Sequence, residues 1–343
     1  MPWMETAPVD QRRDFVKAYQ RRPRSCPFQT PAAVEAAIVA VKRAHDDWGP
    51  RKILDYLAGR QPWLPLPAVS TAGRLLDRRG LVKRSPRRRR WRHPSGPRML
   101  PLAPNEVMTA DFKGQFRTGD GVYCYPLTIA DEYSRYLLCC KALSSVRTEE
   151  AWPAFERLFR RVGLPRAIRT DNGSPFSATG LHGLCALSVW WIRLGIQHQR
   201  IRPGKPQDNP CHERMHRTLK RATARPPAAN ARAQQRRFDT FRWEYNEERP
   251  HESLGGETPA AHWRPSPRPY PARLPEPQYA GHLEKRLVSN AGCFRFKKQV
   301  IFISQALAQG WIGLEEVEDG MWSVYFYDVL LARLDEREMT LNT

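Results

Sequence analysis

The sequence predicts an α/β protein in three parts: a small helical region, a central mixed sheet flanked by helices, and a C-terminal region of short strands. Three observations carry this. Helical composition dominates residues 30–80. From about 105 the chain switches to strand patterns interleaved with amphipathic helices. Beyond a stretch with six prolines at 264–278, short strands return, separated by turn residues.

The N-terminal part reads as three short helices. Residues 32–46 follow Thr30-Pro31, a helix-start signal, and a second helix opens at Pro50 and runs to about Ala58. A third spans 68–79 and ends at Gly80. Three short helices before a basic tail suit a helix-turn-helix unit that binds DNA; the plainer reading is a small helical bundle. Residues 83–98, KRSPRRRRWRHPSGPR, form a basic linker. Arg87, Arg88, Arg89 and Arg90 repel one another and do not pack, so the run is a solvated hinge, a phosphate-tracking arm, or both.

The middle part begins with strands at 107–112, 122–130 and 135–143, the last two joined by the polar turn DEYS. An amphipathic helix follows at 148–162, with Trp152, Phe155, Leu158, Phe159 and Val162 on one face and Gly163 as its stop. Then come a strand at 167–170, a helix near 180–194, a strand at 196–202 and a helix near 208–224. The order β-β-β-α-β-α-β-α is that of a ribonuclease H-like fold. A further helix is expected at 231–246. Strands within 284–303, 311–318 and 321–334, with turns at Asn290-Ala291-Gly292 and Glu318-Asp319-Gly320, suggest a small β-barrel. The expected boundaries are therefore 1–82 (helical, helix-turn-helix-like), 83–104 (basic linker), 105–262 (catalytic core), 263–282 (proline-rich linker) and 283–343 (barrel).

Bulk properties bound the function. The chain of 343 residues carries 56 Lys and Arg against 35 Asp and Glu, a net charge of +21. Such an excess speaks about partners, and nucleic acid leads because phosphate neutralisation supplies most non-specific binding energy. The charge is uneven: residues 1–100 hold 22 basic and 8 acidic residues, whereas 281–343 hold 7 and 9. The DNA-gripping part is thus expected at the N-terminal end. No segment approaches 18 uninterrupted apolar residues, so no membrane partner is expected. Seven cysteines without a C-x-x-C pair argue against a disulfide framework and structural zinc, and favour a reducing, cytoplasmic setting.

Three carboxylates stand where a ribonuclease H-like sheet can gather them. Asp111 ends the first strand, in TADFKG. Asp171 ends the strand in IRTDNG, and Glu213 lies on the helix of PQDNPCHERMHRTLK. Two strand-end acids and one helix acid can converge on divalent cations; magnesium takes oxygen donors and needs few of them. Each acid alone has a bland reading: a strand end, a D-N-G turn, or a helix residue paired with Arg217 four positions on. Asp208 and Glu252 are weaker rivals for the third place, and Asp131 is expected to cap its turn. His212, His216 and Cys211 raise the idea of zinc, against which the oxygen donors argue. Lys205, Arg214, Arg217 and Lys220 border Glu213 as either a solvated face or a DNA contact.

The stretches ADFKGQF (110–116), YPLTIADEYSRYLL (125–138), GLPRAIRTDNGSPF (163–176), IRPGKPQDN (201–209), ERMHRTLK (213–220) and YNEERPHESLGGETPA (245–260) resemble the integrase-like DDE transposases of bacterial insertion sequences, distant relatives of retroviral integrases. The resemblance covers essentially all of 105–260. It implies metal-binding, catalytic carboxylates at Asp111, Asp171 and Glu213, with Mg²⁺ or Mn²⁺, as two ions, for cofactor. It implies strand cleavage by water followed by attack of the freed 3′-hydroxyl on target DNA, by a homo-oligomer acting near a bacterial nucleoid. Two departures stand out. Pro210 replaces a glycine usual before the Glu-bearing helix. The stretches at 12–20 and 23–40 are nearly fused where the family carries a first helix-turn-helix, so the N-terminal region reads as shortened. A catalytically impaired DNA-binding remnant or regulator, and a ribonuclease H-like nuclease, are the competing functions.

Overall fold

The computed structural model describes residues 30–82, 101–178, 181–201 and 210–342. Two compact units divide near residue 86.

The N-terminal unit is built from α1 (Ala32–Ala44), α2 (Pro50–Arg60) and α3 (Val69–Arg78). Their apolar faces meet in one cluster: Val34 and Ile38 from α1, Ile53, Leu54 and Leu57 from α2, Ala72, Leu75 and Leu76 from α3, with Trp48 between them. The connections are residues 45–49 and 61–68. The second is longer than the 3–4-residue turn usual in helix-turn-helix units, because three prolines at 62, 65 and 67 hold it out of helix.

In the second unit the central sheet contains β1 (Val107–Phe112), β2 (Phe116–Arg117), β3 (Tyr123–Asp131), β4 (Leu137–Leu143), β5 (Ala167–Thr170) and β6 (Gln197–Arg200). β1 runs antiparallel to β3 and parallel to β5, β3 pairs β4, and β5 pairs β6 in parallel. The parallel half needs helical crossovers; α4 (Thr148–Val162) and α5 (Ala186–Arg193) supply them. They cover one face through Phe155, Phe159, Trp190 and Trp191, which pack on Met108, Ala110, Ile129 and Ile168. On the other face lie α6 (Pro210–Thr223) and α7 (Ala231–Trp243), whose Met215, Leu219, Phe238 and Phe241 pack on Cys124, Ala130 and Leu137. α6 opens at Pro210, the helical position where a missing N–H costs nothing.

β4 is an edge strand, and side-chain amides close it. Asn246 accepts from the Leu137 N–H and donates to its carbonyl. Gln235 accepts from Ala142 N–H and donates to the Cys140 carbonyl. These amides replace a neighbouring strand and remove a template for edge-to-edge pairing.

Trp191 is fully buried against Phe155 and the His198 ring. Trp191→Ala is expected to cost about 3–5 kcal/mol of unfolding free energy, read as a fall in the urea midpoint. A loss under 1 kcal/mol would show that the space collapses and that this face is not tightly packed.

The proline-rich segment is extended, and it is pinned to the core. Leu164 N–H donates to the Arg268 carbonyl, Ser266 N–H donates to Val162, and the Arg268 guanidinium donates to the carbonyls of Pro165, Leu194 and Gly195. Gly163, at φ +81°, makes room: a Cβ there would sit 2.7 Å from the Arg268 carbonyl oxygen.

The C-terminal strands are β7 (Glu284–Leu287), β8 (Cys293–Phe296), β9 (Gln299–Phe302), β10 (Trp311–Glu318), β11 (Met321–Phe326), β12 (Val329–Asp335) and β13 (Thr340–Asn342). In hydrogen-bonding terms the expected barrel is a five-stranded sheet, β13-β12-β11-β10-β7, and a separate β8-β9 ribbon around a shared core. The turn at Asn290-Ala291-Gly292 sends the chain from one sheet to the other, and the tight hairpin forms instead at Lys297-Lys298, with Lys297 at φ +49°. Leu184, Val189 and Ile192 join this second core, so α5 links it to the central sheet. Among the described residues no helix is long and apolar enough to cross a membrane.

Candidate active site

Asp111 and Asp171 are brought side by side by register. Ala110 of β1 pairs in parallel with Thr170 of β5, so the next residue on each strand is the carboxylate. Neighbouring strands lie about 4.8 Å apart. The D-N-G turn holds Asp171: the Gly173 N–H donates to its Oδ1 at 3.2 Å, and the Asn172 amide ties the loop to the Ile201 carbonyl at 2.7 Å.

Glu213, in the first turn of α6, reaches the same place because its helix is anchored through the residues around it. On β1, Thr109 and Asp111 share a face, and Thr128 of β3 stands opposite Asp111. His212 Nδ1 lies 2.9 Å from Thr109 Oγ1 and its Nε2 lies 2.7 Å from Thr128 Oγ1. His216 Nε2 lies 2.6 Å from the same Thr128 oxygen. Both imidazoles are buried, and burial depresses their basicity, that of His212 to about 3 and that of His216 further. The adjacent His216 Nδ1 and Asp111 Oδ2, 3.6 Å apart, are therefore a neutral imidazole facing a carboxyl group rather than an ion pair.

The protons in this network follow from counting. Thr128 Oγ1 also lies 3.0 Å from the Asp111 carbonyl, which can only accept. A hydroxyl has one proton, so Thr128 donates it to that carbonyl and accepts from the Nε2–H of each histidine. Thr109 Oγ1 also lies 3.3 Å from the Ala130 carbonyl, so its one proton is shared between that carbonyl and His212 Nδ1. His216 Nδ1 is left with a bare lone pair facing Asp111.

Burial first, then the charges of Asp171 and Glu213, raise the Asp111 carboxyl to about 7, with Lys113 opposing. Beside it opens a cleft of about 280 Å³ lined by Glu213 and five cations, Lys113, Arg217, Lys220, Arg221 and Arg225. Arg214 is exposed on the same helix but is not among that lining. Arg87 to Arg90 and Lys205 lie outside the described residues, as does Asp208. Asp131 faces its own turn, accepting from Ser134 N–H and Oγ–H and from Asn105 N–H. Sequence reasoning passed over Thr109, Thr128, Lys113, Arg221, Arg225 and His198. Only the alternation of Thr109 with Asp111 hinted at any of them. His198, whose Nε2 lies 2.9 Å from Thr170 Oγ1 just ahead of Asp171, is pushed down to about 4 by burial and by Arg200.

A family model described as integrase core domain matches residues 101–206, and a second of the same description matches 194–259. The chain is 28% identical over 297 residues to the 39.2 kDa uncharacterized protein of insertion element IS476 from Xanthomonas euvesicatoria, covering 84% of this chain and 77% of that one. It is 30% identical over 160 residues to the 31.7 kDa uncharacterized protein of insertion element IS407 from Burkholderia multivorans, covering 45% and 54%. Among solved structures, a chain of the simian T-cell lymphotropic virus intasome aligns at 16% identity and a TM-score of 0.42, over 86% of this chain and 97% of that one. The chain thus carries an integrase core domain across 101–259 and is similar to proteins of bacterial insertion elements.

Proposed function

We propose that Asp111, Asp171 and Glu213 are the catalytic carboxylates of this transposase and hold divalent cations while it cleaves and joins DNA. The observation that carries the reading is the register of β1 against β5. It sets Asp111 beside Asp171, where burial, and then the charges of Asp171 and Glu213, raise the Asp111 carboxyl to about 7. Like charges gathered without a matching cation are costly, and an oxygen donor set of this kind suits magnesium or manganese. A solved HTLV-2 integrase catalytic core is a complex with magnesium. Such ions, when bound, activate an attacking oxygen and stabilise a leaving one.

The protein's own residues do the positioning. The Gly173 N–H fixes the Asp171 carboxylate, and the threonine–histidine network fixes α6 and with it Glu213. Lys113, Arg217 and Lys220 line the adjacent cleft, where phosphodiester oxygens would meet them. The reaction is attack of water on a strand at the element's end, which frees a 3′-hydroxyl, then attack of that hydroxyl on a phosphodiester of target DNA. Each step makes one P–O bond and breaks one. The helical unit at 32–78, the basic arm and Arg214 on α6 would grip the DNA, and the active form would be a homo-oligomer on DNA.

The arm gives a separate test. Changing Arg87 to Arg90 together to alanine should weaken binding to all duplexes alike and reduce the slope of log affinity against log salt by up to roughly four. Loss confined to one sequence would make the arm a base reader.

A further inference from the structure

The lone pair on His216 Nδ1 has no protein donor in the network around it and faces the carboxylate that the proposed function assigns to a cation. The 3.6 Å between His216 Nδ1 and Asp111 Oδ2 is too long for a hydrogen bond. It is close to the spacing of two donors on one ion: ligands about 2.1 Å from a metal and 90–110° apart lie roughly 3.0–3.5 Å from each other. The ring cannot easily turn away, because its Nε2–H is committed to Thr128 at 2.6 Å and it packs edge-on to His212 at 4.5 Å. A ring nitrogen fixed by a bond from the opposite nitrogen is how proteins prepare a histidine to ligate. His212 is not so prepared. Its Nδ1 is held by Thr109 and its Nε2 by Thr128, although its ligand atoms lie within 4.8 Å of the other two residues'.

Resting on the carboxylate reading above, we propose that His216 is itself a ligand, its Nδ1 sharing one cation with Asp111. The site would then favour a first-row transition ion, with Mn²⁺ as the probe, over Mg²⁺, because magnesium takes oxygen and rarely imidazole. This adds a nitrogen donor to the three carboxylates and gives the short spacing of His216 from Glu213 a chemical purpose: one turn of α6 supplies both.

The test uses the full-length chain and the metals alone. Mn²⁺ and Mg²⁺ affinities are measured by calorimetry, and the Mn²⁺ complex is examined by pulsed electron paramagnetic resonance. In wild type an imidazole nitrogen coupling is expected, shifting from ¹⁴N to ¹⁵N when the protein is made with ¹⁵N-histidine. This readout needs no variant and so does not depend on one folding. His216→Asn should lose the coupling and bind Mn²⁺ about tenfold more weakly, with Mg²⁺ affinity changed less than about threefold; His212→Asn should keep the coupling. Mn²⁺ binding that Asp171→Asn weakens, with no nitrogen coupling in wild type, would overturn the role of His216 and leave the carboxylate reading standing. Binding unaffected by Asp111→Asn would overturn both.

Discussion

Asp111→Asn, Asp171→Asn and Glu213→Gln should each lower DNA strand cleavage at least about a thousandfold, while affinity for duplex DNA stays within a factor of two or three. The separation follows from the proposed division of labour: the three carboxylates would hold the cations that drive the chemistry, and Lys and Arg would contact phosphate. Asp111→Asn carries a second signature. The Asp111 carboxyl is raised to about 7 by burial and by the charges of Asp171 and Glu213. At pH 8 the folded, metal-free protein therefore holds a charge that the unfolded chain bears more cheaply. Removing it should stabilise the metal-free protein by roughly 1–3 kcal/mol, seen as a higher melting temperature in EDTA. A variant that gains stability while losing cleavage is the behaviour of a residue retained for function. Cleavage retained in any of the three variants would remove that residue from the site.

The second large effect is acid destabilisation of the metal-free protein. His198 and His212 titrate in the folded state at about 4 and about 3, and burial depresses His216 further. Unfolded, each takes a proton near 6.5. Below that pH the unfolded state binds up to three more protons at these sites, so stability is present above about 6.5 and is lost as pH falls towards 4. Asp111 and Asp131, both raised by burial, work in the opposite sense, because the folded state keeps protons there that the unfolded chain has lost. The net of about one to two protons corresponds to roughly 1.5–3 kcal/mol lost per pH unit between pH 6 and 4.5. Urea midpoints in EDTA across that range measure the slope. A flat profile would mean that the three histidines are not held neutral in the folded protein.

Those histidines also show where sequence reading stops. The helix at 148–162 and the strand at 167–170 could be read because one carries an amphipathic stripe ending in glycine and the other runs straight into a D-N-G turn. The carboxylates stood out by position, two at strand ends and one on a basic helix. Their neighbours did not. Thr128 matters only because β3 pairs β1 with Asp111 opposite it, and register between distant strands is not written in local composition. The helix expected from 180 begins at Ala186, because Gly183 takes φ +62° and Cys185 caps the helix from Ser188, a role cysteine seldom signals. The β8-β9 hairpin turns at two lysines, whose side chains give no turn signal. The segment at 263–282 reads as a spacer from its prolines, yet Arg268 binds three core carbonyls through its side chain.

The most direct test is a strand-transfer assay with the purified full-length chain, duplexes carrying the element's terminal sequence, and Mg²⁺ or Mn²⁺. Joined products are predicted that require both the divalent cation and a free 3′-hydroxyl on the donor strand, and that vanish in EDTA and in Asp171→Asn. Products that persist in EDTA, or an equal yield from Asp171→Asn, would contradict a reaction run by cations on these carboxylates.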